Sequence, residues 1–168
     1  MRETPEDLRR LQTLLDRSIE GAGEFLRHSF EMPGRSLCAA QLVRFLHGIH
    51  NVALATVTSS GEPRVAPIGA LFFRGRFHVP TVASAARTRH LVQRPATSLT
   101  LYEGDDLAVI VHGRAEVLGP DHPDFPVLEE TFRGSGGGSV LEWGEGVYVR
   151  VEAEKFYTFA RHPGRFPR

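Results

Sequence analysis

The feature that most constrains this chain is a change of period at Asn51. Before it, apolar residues recur at helical spacing; after it, "VALATVT" alternates and is rich in β-branched residues, as a half-buried strand requires. "SSGEP" then supplies turn chemistry, "RVAPIGALFF" reads as a second strand, "RGR" turns it, and "FHVPT" is a third. Further along, "TSLTLYE", "LAVIVHGRAEVLG" and "GVYVRVEAEKFYTF" read as strands four to six, with "GDD" as the turn between the fourth and the fifth. Turns this short demand antiparallel neighbours. Six strands joined largely by hairpins, with helices at the periphery, predict an α+β fold built on an antiparallel six-stranded barrel, because closure removes exposed sheet edges. Pro67 and Pro80 fall inside strands two and three, which argues for edge positions, bulges or local ligand-facing irregularity there.

The helical segments fit around this body. Thr4 caps and Pro5 starts a helix whose stripe is Leu8, Leu11, Leu15, Ile19 and Ala22, ending near Gly21 or Gly23. A second helix follows Ser36, with Leu42, Val43, Leu46 and Ile49 as its apolar face and Gly48 near its end. Short helices are expected over about 84–93 and within "PDHPDFPVLEETF", with "RGSGGGS" as a flexible connector before the last strand. The organisation expected is an N-terminal helical extension over 1–50, a barrel over 51–162 and a short tail over 163–168. With 168 residues, 41% of them hydrophobic, the chain fits one core and no second full domain.

Twenty basic residues balance 20 acidic ones, so overall charge advertises neither nucleic acid nor a membrane surface as a partner. Cys38, the only cysteine, excludes an intramolecular disulfide and reads as a small buried hydrophobe. The polar N-terminus and the lack of a long apolar run point to a cytoplasmic protein.

Chemistry gathers in "HVPTVASAARTRHLVQRP", residues 78–95. A strand ending at Thr81 delivers a hydroxyl, Ser84 can cap the following helix, and the free amides of its first turn favour an anion. Arg87 and Arg89 follow within two turns, and forked guanidinium donors match phosphate oxygens. The same residues also suit an ordinary capped surface helix with solvated arginines.

The order of these segments resembles the pyridoxamine 5'-phosphate oxidase-like family of flavin-binding split-barrel proteins. "LATVTSSGEPRVAPI" looks like its opening hairpin, "HVPT" with "ARTRHLVQRP" like its cofactor segment, and "VHGRAEVL" like its G-x-A-x-V fifth strand. Arg87 stands where the family usually has lysine, and His90 where it often has asparagine. The resemblance implies a split barrel that forms a homodimer, with two cofactor sites at the interface and residues of both chains in each. It implies FMN held by its phosphate through Thr81, Arg87 and Arg89, with the backbone of Ala66, Pro67, Ile68 and Gly69 beside the ring system; Ser84 joins them on the capping argument alone. The implied activity is transfer of hydride or electrons to a small organic acceptor. The cofactor would supply that chemistry, so no catalytic side chain is named. "FARHPGRFPR" does not reproduce the Arg- and Trp-containing C-terminal segment of true pyridoxamine phosphate oxidases, so that particular activity is not expected. An alternative is the deazaflavin coenzyme F-420, whose acidic tail would need a basic groove such as Arg64, Arg87, Arg89 and Arg94 can line. A non-catalytic flavin- or haem-binding module is a further alternative, with His112, His122 or His162 as the haem ligand.

Other motifs carry less. "RGSGGGSV" lacks the Lys-Ser or Lys-Thr of a phosphate loop and any strand directly before it, though it can serve as a mobile flap. Trp143 suits partial burial more than stacking on a ligand. His47 and His50 have helical spacing, yet Gly48 interrupts them and no third ligand is evident, so no metal site is expected. Glu103, Asp105 and Asp106 form an acidic turn.

Overall fold

The computed structural model describes residues 3–167. Helix α1 (Pro5–Glu20) opens with a capping box: the Thr4 hydroxyl accepts the Asp7 N–H, and the Asp7 carboxylate accepts the Thr4 N–H at 2.9 Å. It ends at Gly21, as its sequence predicts. A one-and-a-half-turn helix α2 (Glu24–Ser29) follows, which the sequence does not announce. Helix α3 (Ala39–Phe45) has its N-cap at Cys38, whose N–H donates to the Gln41 side-chain oxygen at 3.0 Å. Cys38 is therefore a half-buried cap and not the buried hydrophobe its composition suggests.

The six strands are β1 (Ile49–Val57), β2 (Pro63–Phe73), β3 (Arg76–Val82), β4 (Ala96–Glu103), β5 (Leu107–Leu118) and β6 (Gly146–Ala160). They close into an antiparallel barrel in the order β1-β2-β3-β6-β5-β4. Helix α4 (Ala86–Gln93) connects β3 to β4, and α5 (Phe125–Gly134) lies between β5 and β6. Alternation sets the two faces: Val52, Leu54 and Thr56 of β1 point inward and are buried, while Asn51 points out. The inner cluster joins Val109, Val149 and Phe156 of the barrel to Leu11 and Leu15 of α1 and to Leu42 and Leu46 around α3. Helices α1 and α3 thus share the core of the barrel.

A second cluster lies on the outside of the sheet. There Phe125, Leu128 and Phe132 of α5 pack on Leu71, Phe73, Leu118 and Tyr148. Arg150 on β6 fastens this layer, reaching Asp124 at 3.0 Å before α5 and Glu116 on β5 at 2.7 Å. Register shifts once, between His112 and Gly113, opposite β6. That bulge needs glycine, because a Cβ at Gly113 would overlap the carbonyl oxygen of Glu152.

The barrel is closed unevenly, and that positions the site. β2 and β3 pair over only three residues, from Leu71↔His78 to Phe73↔Arg76. The rest of β2, from Pro63 to Ala70, pairs with β1 alone, and β3 from Val79 to Val82 pairs with β6 alone. Pro67 and Pro80 lie on these two half-edges. A residue lacking an N–H is tolerated where a neighbouring strand is missing.

Candidate functional site

At the open end of the split, the turn from β3 to α4 is set by local hydrogen bonds. The Thr88 hydroxyl donates to the Val82 carbonyl at 2.8 Å, and the Ala85 N–H donates to the same oxygen at 3.2 Å. This fold-back makes Ala85 the N-cap, in extended conformation and without a side-chain cap bond. The capping role expected of Ser84 is thereby corrected: the helix begins one residue later, and Ser84 is exposed with its carbonyl accepting the Arg89 guanidinium. The amides of Ala86, Arg87 and Thr88 find no acceptor among the described residues. A helix terminus in this state presents donors and partial positive charge to whatever lies in front.

Against this corner β1 and β2 leave a cleft of about 320 Å³ lined by Leu54, Thr56, Val65, Ala66, Arg87 and His90, with Arg64 at its rim. Of the residues expected there, Ala66 and Arg87 line it. The Arg87 guanidinium has no hydrogen-bond or ion-pair partner among the described residues. Pro67, Ile68 and Gly69 continue from Ala66 along the unpaired edge of β2. Thr81 is buried on β3 opposite Val147, across the split, and does not line the cleft. Arg89 does not line it either. Two residues along a helix turn a side chain about 200° away, whereas three or four keep it on the same face.

That rule identifies His90, three residues from Arg87, as a cleft residue the sequence reading passed over. Its Nδ1 lies 3.0 Å from the Thr56 hydroxyl, tying α4 to β1. Nor do the four arginines form an extended basic groove. Arg64 is ion-paired to Glu62 at 2.8 Å, Arg94 donates to the Ser59 carbonyl at 3.1 Å, and Arg89 is engaged as above, which leaves Arg87 as the free cation. The three histidines considered for haem lie apart from the cleft lining. His112 meets Ser98 at 2.7 Å, the His122 ring accepts the Asp124 N–H, and His162 is exposed near the C-terminus.

Two polar groups are buried in the outer layer, Glu129 on α5 and His78 on β3. Glu129 accepts from the Ser139 hydroxyl, the Val140 N–H at 3.1 Å and the Tyr148 hydroxyl at 2.7 Å. Burial alone would raise its pKa, but these hydrogen bonds, with Arg133 nearby, outweigh it and hold the carboxyl below its ordinary value. Burial and the bond to Glu129 push the Tyr148 phenol well up. The far end of the glycine-rich connector is thus fastened to α5 and β6. Sequence offers a signal here: Glu129 occupies an apolar-stripe position beside Phe125, Leu128 and Phe132. Trp143, beyond the connector, is 48% exposed and meets Phe132 edge-on. The second group, His78, is 3% exposed; burial, with Arg150 and Arg76 close by, lowers its pKa to about 3.

Known proteins share this architecture. Conserved hypothetical protein Rv2991 from Mycobacterium tuberculosis superposes with a TM-score of 0.66 at 19% identity, over 81% of this chain and 92% of that one. An FAD-binding protein from Mesorhizobium loti gives 0.57 at 19%, over 74% and 93%. HutZ, the haem storage protein from Vibrio cholerae, gives 0.59 at 15%, over 72% and 91%. The comparison with curated proteins returns no match. At these identities the likeness shows the fold. The sequence profile described as pyridoxamine 5'-phosphate oxidase matches residues 39–137, a span that holds the split, the α4 corner and five of the six strands, so the chain belongs to that flavin-binding split-barrel family.

Proposed function

We propose that the chain is a homodimeric oxidoreductase that binds FMN in the α4 cleft and passes hydride or electrons between a reduced nicotinamide and a small organic acceptor. The observation that carries the reading is the unpartnered Arg87 guanidinium beside three free helix amides, at the mouth of a β2 edge left open from Pro63 to Ala70. A phosphate suits the first feature; a flat ring bearing donors and acceptors suits the second. Arg87 and the amides of 86–88 would hold the phosphate, and backbone from Ala66 to Gly69 would run beside the ring. Thr81 would reach the group from across the split, while Ser84 and Arg89 would act only through the shape of the turn. Bound flavin supplies the redox chemistry; the chain supplies position and charge.

Val65 supports the dimer. It is 68% exposed, lines the cleft and has Pro67 two residues along its strand and Ala55 paired opposite it, so a second copy laid there would cover this apolar patch and complete the cleft wall. A single free cation favours FMN over the deazaflavin coenzyme F-420, whose acidic tail asks for several. Fluorescence titration with FMN, alone and in competition with F-420, tests the reading. Arg87→Ala is expected to weaken FMN by about 1.5 to 3 kcal/mol, the contribution of a hydrogen bond to a charged group. Equal affinity in the variant would take Arg87 out of the site, and tighter F-420 than FMN would reverse the choice of cofactor. Steady turnover of reduced nicotinamide with an acceptor panel separates an enzyme from a carrier.

A further inference from the structure

A second cavity of about 400 Å³ opens at the other end of β2, where the strand passes between α3 and α5. It shares no lining residue with the α4 cleft. Leu71, Phe72 and Phe73 of β2 and Val43 of α3 make an apolar floor, and Arg44 and His47 stand at the rim. The other polar groups around it are already engaged. The Thr131 hydroxyl donates to the Val127 carbonyl at 2.6 Å, the Ser135 hydroxyl donates to the Thr131 carbonyl at 2.9 Å, and the Glu3 carboxylate accepts the Arg74 N–H at 3.2 Å. Arg44 and His47 have no hydrogen-bond or ion-pair partner among the described residues.

A concave apolar chamber of this size with a few convergent polar groups has the form of a small-molecule site. Its free groups are a guanidinium and an imidazole. We infer that this cavity binds a small apolar or aromatic molecule carrying one anionic group, its rings on the β2 floor and its charge at Arg44 and His47. The floor provides affinity through burial, and the forked guanidinium selects a carboxylate- or sulfonate-like oxyanion. One wall is the end of α5 at Gly134 and Ser135, and the connector leaving it is held by Glu129 through Ser139, so the chamber is shaped before any ligand arrives.

The test titrates the full chain with 8-anilinonaphthalene-1-sulfonate and with N-phenyl-1-naphthylamine, which keeps the rings and lacks the sulfonate. The expected result is saturable binding of one sulfonate probe per chain, weakened at least fivefold by Arg44→Gln and by His47→Gln, with the neutral probe changed by less than twofold. Both substitutions are at exposed positions, and unchanged melting temperatures will confirm that the variants fold. Arg87→Ala serves as the control, since it perturbs the α4 cleft and is expected to leave the sulfonate probe untouched. Equal sulfonate affinity in Arg44→Gln, loss of that affinity in Arg87→Ala, or no saturable binding would each overturn the assignment. None of these results depends on whether FMN binds.

Discussion

His78 is expected to make the protein acid-sensitive from about pH 6.5 downward, starting above the range in which Asp7 and Glu129 release their contributions. Its ring is buried, with Nδ1 3.2 Å from the Arg76 carbonyl oxygen and the Phe73 ring edge-on at 6.1 Å. The guanidiniums of Arg76 and Arg150 and the imidazole of His122 oppose a further positive charge there, while Asp124, Glu116 and Glu152 are already committed to Arg150 or Arg76. The folded pKa of about 3 lies below the ordinary 6.5. Between those values the unfolded chain binds a proton that the folded chain refuses, so stability falls as pH drops from about 6.5 towards about 3 and is whole above that range. At pH 5 the difference between the two binding curves amounts to about 2 kcal/mol. Asp7 and Glu129, with depressed values, release their contributions only below their ordinary 3.8 and 4.5, so they do not enter a comparison made between pH 7.5 and pH 5. Urea denaturation of the wild type and of His78→Phe at pH 7.5 and pH 5 isolates the contribution of this histidine. The wild type should lose about 2 kcal/mol more than the variant over that interval, whatever stability the variant starts with. Parallel losses in the two proteins would refute the buried neutral histidine.

Other perturbations test other parts of the reasoning. Glu129→Ala leaves the Ser139 and Tyr148 hydroxyls and the Val140 N–H without their acceptor, and should cost about 3 to 5 kcal/mol in urea denaturation; Glu129→Gln, which keeps one acceptor oxygen, should cost less than half of that. Because the Glu129 carboxyl is held below its ordinary 4.5, its contribution is complete above that pH and lost as pH falls through the lower folded value. Gly113→Ala forces a Cβ onto the Glu152 carbonyl, so a thermal melt should show about 1 to 3 kcal/mol of destabilisation. If the proposed dimer forms through β2, Val65→Arg should convert it to a monomer by light scattering and weaken FMN with it; a dimer that survives would move the interface elsewhere.

Much of the barrel was readable because a half-buried strand prints its period directly into the sequence. "VALATVT" and "VYVRV" each alternate, and each lies within a strand that begins or ends within about two residues of the expected limits. Helix α1 was readable from its cap and stripe. α2 was not: "EFLRHS" has no buried residue and its N-cap, Gly23, offers no side chain. Around the cleft, a residue type at a helix start is visible in the sequence, whereas contacts between distant segments and the exact start of the helix are not. Arg87 follows from composition at a helix start, but the pairing of His90 with Thr56 joins positions 34 apart, and no local pattern records it. Ser84 misled for a related reason. A capping residue is recognised by type, yet here the Thr88 and Ala85 bonds to the Val82 carbonyl decide where the helix begins.

The two prolines join local sequence to function most closely. A closed barrel normally hides every strand edge, and an exposed edge is a liability that proteins cover, charge or shorten. Here β2 and β3 part after three paired residues, and each carries a proline on the stretch that has lost its neighbour. Proline withholds a donor from that edge, which makes addition of a foreign strand less favourable. The remaining backbone groups between Ala66 and Gly69 are left needing partners on the side where β3 has parted. A flat polar ring or a second copy of the chain meets that need. The proposed FMN site and the proposed dimer are therefore two answers to one demand, and Val65, which lies on the same strand and lines the cleft, is where a single substitution should disturb both.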